Sequence, residues 1–263
     1  MPQRTDSPPS PLFLRNRGTP RPAAARIAWL MSAGMVVGCA LPVRAEEPAA
    51  ADSPDRTWQE LTAQYTLLYV NTQYAEAAAI AQRAEAAAER AFGPEDARVA
   101  QVLNDEGHLF QLQGDHVRAE PFHRRALAIR ERALAPDDPG VVQSLENLAK
   151  AYQAQDRYAD AEPLCKRALA ILEEKMGRNH PQVADGLGHL AQGYARQGRA
   201  ADAEPLFRRA LAILDTAPPV TYVDVPALLE QYAECLRQLG RASDAEAAVS
   251  RAAALRRVSR DAP

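Results

Sequence analysis

Apolar residues recur along this chain at two nested intervals. One is short enough to draw the face of a helix; the other separates whole helix pairs. Leu103, Leu145, Leu187 and Leu229 stand 42 residues apart, as do Phe110, Tyr152, Tyr194 and Leu236, with Gly107, Ala149, Ala191 and Ala233 between them. Offsets of four and seven from each leucine make one stripe of a helix, helix A. Gln113, Gln155 and Gln197 follow, then Gly114, Asp156, Gly198 and Gly240. Glycine there is a stop, because it enters the left-handed conformation without a Cβ penalty. A second helix, B, carries small residues at Ala119, Ala161, Ala203 and Ala245 and again at Ala126, Ala168, Ala210 and Ala252; Ile129, Ile171, Ile213 and Leu255 complete its apolar face. Small residues at fixed points let two axes approach closely, and a turn of two to four residues makes the pair antiparallel.

The tripeptide Ala-Glu-Pro marks the same period at Ala119–Pro121, Ala161–Pro163 and Ala203–Pro205. Ala77–Ala79 and Ala245–Ala247 extend it to either side, so five units fill most of the chain. A fixed period of this size signals a repeat array, in which each unit buries its apolar face against its neighbours. The prolines allow two readings. Helix B starts near residues 118, 160 and 202, with proline in its first turn, or it starts earlier and carries proline inside. Linkers Gly93–Asp96, Ala135–Pro139 and Gly177–Pro181 lead to Val99, Val141 and Val183; the fourth, Ala217–Pro219 to Val225, keeps only the proline and the valine. Asp and Asn beside proline favour a turn and a helix start.

These positions resemble the tetratricopeptide repeat. Its order of a large residue, a small one four later, an aromatic three beyond and two further small positions falls on Leu145, Ala149, Tyr152, Ala161 and Ala168, and on Leu187, Ala191, Tyr194, Ala203 and Ala210. The 42-residue period and the run Gly177 to Ala184 look like the kinesin-light-chain subtype. The resemblance covers roughly 57–258 and is strongest in units three and four. Unit two departs with Glu106, where the others have Leu148, Leu190 and Tyr232; unit one departs with Gln64 and Tyr65. It implies an all-α fold, a right-handed α-solenoid of about five antiparallel helix pairs, with units near 57–98, 99–140, 141–182, 183–224 and 225–258 and a short tail at 259–263. HEAT or armadillo repeats, with periods of about 40–47 residues, are the alternative fold.

The first fifty residues differ in kind. Residues 2–22 are rich in proline and carry Arg4, Arg15, Arg17 and Arg21 against Asp6 alone, a composition expected to be disordered. Ile27–Leu41 is an apolar run behind Arg26, the arrangement of a secretory signal and shorter than the roughly 20 residues of a spanning helix. Cleavage after Ala45 and lipidation at Cys39, within the lipobox-like Val36–Cys39, are competing readings. An uncleaved anchor is a third; all three export the repeats to a bacterial periplasm or envelope membrane, and a cytoplasmic chain with a misread start is the remaining alternative. Residues 46–56 read as a linker. Loss of residues 1–45 removes six of 31 basic and one of 34 acidic residues, taking the net charge from −3 to −8. Such a chain has no broad basic field for phosphate backbones, so nucleic acid is not an expected partner. Membrane contact is expected only through the signal anchor or a lipidated Cys39.

No nucleophile elbow, phosphate-cradling glycine loop or metal-ligand spacing occurs among the five histidines and three cysteines. No catalytic residue, cofactor or metal is therefore expected. Cys165 reads as a core filler, and a Cys165–Cys235 bridge would have to span two helix pairs. The expected function is a non-enzymatic scaffold holding a protein or peptide in the concave groove formed by the A helices. Offsets one, two and five from each leucine give its candidate lining: Asn104, Asp105 and His108; Glu146, Asn147 and Lys150; Gly188, His189 and Gln192; Glu230, Gln231 and Glu234; with Arg196 a turn beyond. The kinesin-light-chain resemblance implies a backbone-contacting role for Asn147. On α-helical spacing the last helix keeps Ala248, Val249, Ala252 and Leu255 uncovered, so a homo-oligomer acting through terminal helices is the second expectation.

Overall fold

Among the described residues ten helices follow one another. The computed structural model describes residues 54–217 and 223–261, and the expectations for the leader, Cys39 and Ala45 included, lie outside them. Unit one is α1 (Pro54–Val70) and α2 (Tyr74–Phe92); unit two is α3 (Ala97–Leu112) and α4 (His116–Ala133). Unit three is α5 (Pro139–Gln153) and α6 (Tyr158–Met176), and unit four is α7 (Pro181–Arg196) and α8 (Ala200–Thr216). Unit five is α9 (Val225–Gln238) and α10 (Ala242–Asp261). Each helix packs chiefly on the helices before and after it, the contact pattern of an α-solenoid.

The linkers start the A helices by side-chain capping. Asp96, Asp138 and Asp224 each accept a hydrogen bond from a backbone N–H one to two residues into the helix, at 2.9, 2.7 and 3.0 Å. His180 rather than Asn179 does this for α7, its Nδ1 accepting from the N–H of Gln182 at 3.2 Å. Each cap satisfies one of the orphan donors of a helix N-terminus. The A helices end where glycine was expected to stop them: Gly114, Gly198 and Gly240 have φ of 79°, 74° and 72°. Asp156 takes the same conformation at 58°, and so does Thr72 at 62°, which occupies the equivalent place in unit one. A β-branched residue there is strained.

Helix B takes the second of the two proline readings. It begins at His116, Tyr158 and Ala200, so Pro121, Pro163 and Pro205 stand at its sixth position. Each proline lacks the N–H that would reach the carbonyl four residues earlier, on Val117, Ala159 or Ala201.

The small positions are the places of closest packing. Ala77, Ala119, Ala203 and Ala245 have no exposed surface and Ala161 has 1%, while Leu103, Leu145, Leu187 and Leu229 are buried around them. The glutamate beside each small alanine then ties its unit to the next. Glu120 accepts from Arg157 at 2.8 Å, Glu162 from Arg199 at 2.9 Å and Glu204 from Arg241 at 3.3 Å. Arg157 and Arg199 also lie over the Tyr152 and Tyr194 rings, at 4.3 and 4.1 Å. Unit one has Ala78 in place of the glutamate, and unit two correspondingly has Asp115 in place of the arginine, bonded to Arg118.

A second ladder joins successive B helices. Glu89 pairs with Arg125, Glu131 with Arg167, Glu173 with Arg209 and Asp215 with Arg251. Exposed pairs of this kind contribute about 0–1 kcal/mol each, so their effect is on register more than on stability. The ladder ends at Arg257, an exposed cation where the preceding units have an acid. Ala253 and Arg256 stand there in place of Leu211 and Leu214, and Arg256 folds back onto Glu230. The first helix has Thr57 in place of Val99, Val141, Val183 and Val225, but Leu67, in the place of buried Leu109 and Ala151, is exposed. On α10, Val249 and Leu255 are exposed as expected, whereas Ala248 and Ala252 are buried against the rest of their unit.

One junction is polar inside. Tyr65 on α1 donates to Asp105 at 2.8 Å, and Gln101 donates to the same carboxylate at 3.1 Å. The Arg130 guanidinium reaches the Gln101 side-chain oxygen at 2.7 Å, the Gly140 carbonyl at 2.8 Å and the Ser144 hydroxyl at 3.1 Å. Asn104 donates to Ser144 at 2.9 Å, and its oxygen lies 3.2 Å from His123 Nδ1. Nδ1 is therefore the protonated nitrogen, and buried His123 Nε2 has no partner. Burial pushes the His123 imidazole down to about 3, so it stays neutral.

Unit two makes room for that imidazole with a glycine. A Cβ at Gly107 would lie 2.5 Å from the ring, whereas the equivalent pairs are Ala149 with Cys165 and Ala191 with Phe207. Gly107→Ala is expected to cost about 1–3 kcal/mol by overpacking. His123→Cys should recover most of that loss in the double variant, restoring the unit-three pair. Urea denaturation of the four proteins measures the coupling; strictly additive costs would mean that the ring does not set the glycine.

Candidate functional site

Helices α3, α5, α7 and α9 carry the candidate groove residues, and the structure divides those residues into three groups. Asn104 and Asp105 are not groove lining. Each is 2% exposed, and their polar atoms bond Ser144, His123, Tyr65 and Gln101. Offsets from the leucine assumed that this face of α3 was free; Ser144 and Tyr65 on the flanking helices bury it instead. Gly188 is likewise buried, with no room for a Cβ beside Leu228.

A second group is accessible but already engaged. Arg196 donates to the Tyr158 hydroxyl at 3.1 Å. Glu234 pairs with Arg237 at 3.0 Å, and Glu230 with Arg256. Gln231 and Gln192 are half-buried.

The third group forms a cluster between α5 and α7. Glu146, Asn147 and Lys150 occupy one face of α5, with Asp185 and His189 on α7. His189 Nε2 stands 3.7 Å from the Asp185 carboxylate, and Gln153 donates to the His189 carbonyl at 3.0 Å. Among the described residues the Lys150 ammonium makes no hydrogen bond or ion pair. His108, one unit back on α3, is half-buried and its Nε2 has no partner.

The concave walls shape the charges here. Desolvation pushes the Glu146 carboxyl up to about 7, with Lys150 opposing the rise and Asp185 reinforcing it. Desolvation and then Lys150 push His189 down to about 4, against the pull of Asp185. His189 still keeps 30% of its side chain open, so it is the enclosure of the groove, not the interior, that disfavours its charge. Burial likewise takes His108 to about 4, against the opposing pull of Gln111 and with a smaller push from Lys150.

Beneath the cluster lies a hollow of about 10 Å³, room for one water, floored by Ala149, Cys165, Ala168 and Gly186. Cys165 is smaller than the Phe207 that fills the same place one unit on, and Gly186 smaller than Leu228. Burial pushes the Cys165 thiol up to about 12, which makes it a poor nucleophile. Cys165 and Cys235 are both free and buried. Among the described residues no group of three His, Cys, Asp or Glu could hold a metal, and no helix is long and apolar enough to cross a membrane.

The tetratricopeptide-repeat profile matches residues 66–132 and 140–216, more than half of the chain. The chain belongs to the tetratricopeptide-repeat family. Solved structures agree on the fold of this repeat array. The kinesin-light-chain-type, nearly identical TPR-like repeats of Podosopora anserina superpose with a TM-score of 0.65 at 20% identity, covering 80% of this chain and 99% of that one. BtubC (BKLC) of P. vanneervenii gives 0.69 at 19% identity, over 80% and 85%. Residues 41 to the end of MamA from Desulfovibrio magneticus RS-1 give 0.58 at 13% identity, over 78% and 98%. At these identities the likeness concerns the fold of the array. No curated protein matches the chain.

The ionic ladders of this repeat array escaped the motif reading, although Glu89, Glu131, Glu173 and Asp215 share the repeat period, as do Arg125, Arg167, Arg209 and Arg251. Lys150 is the test of the groove electrostatics. Lys150→Met is expected to raise the apparent pKa of both Glu146 and His189, since the ammonium lowers each. Carboxyl and imidazole NMR titrations read the two shifts; unmoved values would place Lys150 away from the cluster.

Proposed function

We propose that this array is a non-enzymatic interaction scaffold that holds an extended peptide or partner helix along α5, α7 and α9. The observation that carries this reading is the Lys150 ammonium, which makes no hydrogen bond or ion pair among the described residues, set beside Glu146, Asn147 and His189 where Arg196, Glu230 and Glu234 are already engaged. Half-buried amides from Asn147, Gln153, Gln192 and Gln231 line the same wall. They supply donors and acceptors suited to a peptide backbone, while the shape of the groove supplies selectivity.

The basic stretch before Ile27–Leu41 supports export, with the repeats in a bacterial periplasm or at an envelope membrane. Replacing Asn147, Lys150 and His189 together by alanine is expected to lower partner retention from envelope extract at least tenfold with unchanged helical circular dichroism. Full retention would sink the groove reading. For the leader, the expected mature chain starts at Glu46 and takes no label from a fatty-acid probe. Label that disappears in Cys39→Ala would assign a lipid anchor instead.

A further inference from the structure

The buried apolar core does not run unbroken through the stack. One cluster extends from Leu127 on α4 to Ala252 on α10. It crosses onto α4 through buried Leu127, with Leu134 packed against it; the other buried apolar residues of the first four helices, around Tyr65 and Leu109 and around Leu103 and Ile129, form clusters separate from it and from each other. Between them lies the polar chain from Asp105 through Arg130 to Ser144 and Asn104. Arg130 occupies the place of Leu172 and Leu214, which face the next unit, and Ser144 occupies that of Val102, Gly186 and Leu228. The helices pack across this junction as closely as elsewhere. What differs is the chemistry of the contact.

That difference has an energetic direction. Parting two apolar faces costs free energy in proportion to the area exposed to water. Parting hydrogen-bonded groups returns each to water, so the net loss is small for a neutral pair such as Asn104 with Ser144 and larger for the bonds of the Arg130 guanidinium. The acid–base rungs across the junction, Glu120 with Arg157 and Glu131 with Arg167, are partly exposed and add little resistance.

We propose that the α4–α5 junction is a seam at which the array opens as two cooperative blocks, α1–α4 and α5–α10. The second block keeps Glu146, Lys150 and His189 together, while His108 belongs to the first. This inference concerns the stack itself and does not depend on the groove being a binding site.

Native-state hydrogen exchange of the full chain, read helix by helix, tests it. The amides of α1–α4 are expected to exchange through a shared opening about tenfold or more faster than those of α5–α8, with a step between α4 and α5. Two interior variants assign the blocks. Ala77→Gly should accelerate exchange several-fold in α1–α4 alone, and Ala149→Gly in α5–α10 alone. A smooth rise toward both ends, a step only at α8–α9, or an Ala149→Gly effect spread equally over all ten helices would overturn the seam.

Discussion

Close approach of helix axes at a few alanines is the constraint on which the stack depends. Ala119, Ala161, Ala203 and Ala245 are buried where two helices meet, and nothing larger than a methyl fits without separating them. Once those contacts are set, the leucines of helix A and the isoleucines of helix B fill fixed volumes. The turns must then be short, and the neighbouring unit has only one way to lie down. The ionic ladders follow from the same geometry. They join residues that the alanine contacts have already brought level, which explains why weak, exposed pairs recur so regularly.

Where the units depart from one another, they do so in compensated sets. Ala78 removes a carboxylate, and Asp115 removes the arginine that would have needed it. Gly107 removes a methyl, and His123 fills the space. Leu236 replaces the aromatic seen at Tyr194, and Tyr232, one turn earlier, donates to Glu204 instead. Such pairs mean that a repeat position is best read with its partner in the adjoining helix. Read singly, Glu106 looks like a polar intruder. In the fold it is fully buried with neither oxygen partnered, and desolvation together with the nearby Glu85 charge pushes its carboxyl up to about 9, so it sits there as a neutral group.

The alanine and leucine periods made the helix pairs legible from residues alone, because burial of a repeated face leaves a repeated mark. The groove was legible only in part. Offsets from Leu145 and Leu187 found Glu146, Asn147, Lys150 and His189 on accessible α5 and α7, but the same offsets from Leu103 selected Asn104 and Asp105, which are interior. A single helix period cannot reveal that Tyr65 and Ser144, from the units on either side, close over that face. The early start of helix B was also hidden, since proline six positions inside a helix runs against local preference and is tolerated only by the tertiary packing around it.

The regular rungs have a consequence for how such a chain can change length. Glu120 meets Arg157 and Glu131 meets Arg167, but one period later the same pairs are Glu162 with Arg199 and Glu173 with Arg209. Excision of one whole period from the middle would therefore bring Glu120 against Arg199 and Glu131 against Arg209, chemically the same joints. Inheritance by unequal recombination can therefore lengthen or shorten the interior of this molecule while keeping both ladders, although removal of the third unit would leave Arg130 and Asn104 facing Gly186 in place of Ser144.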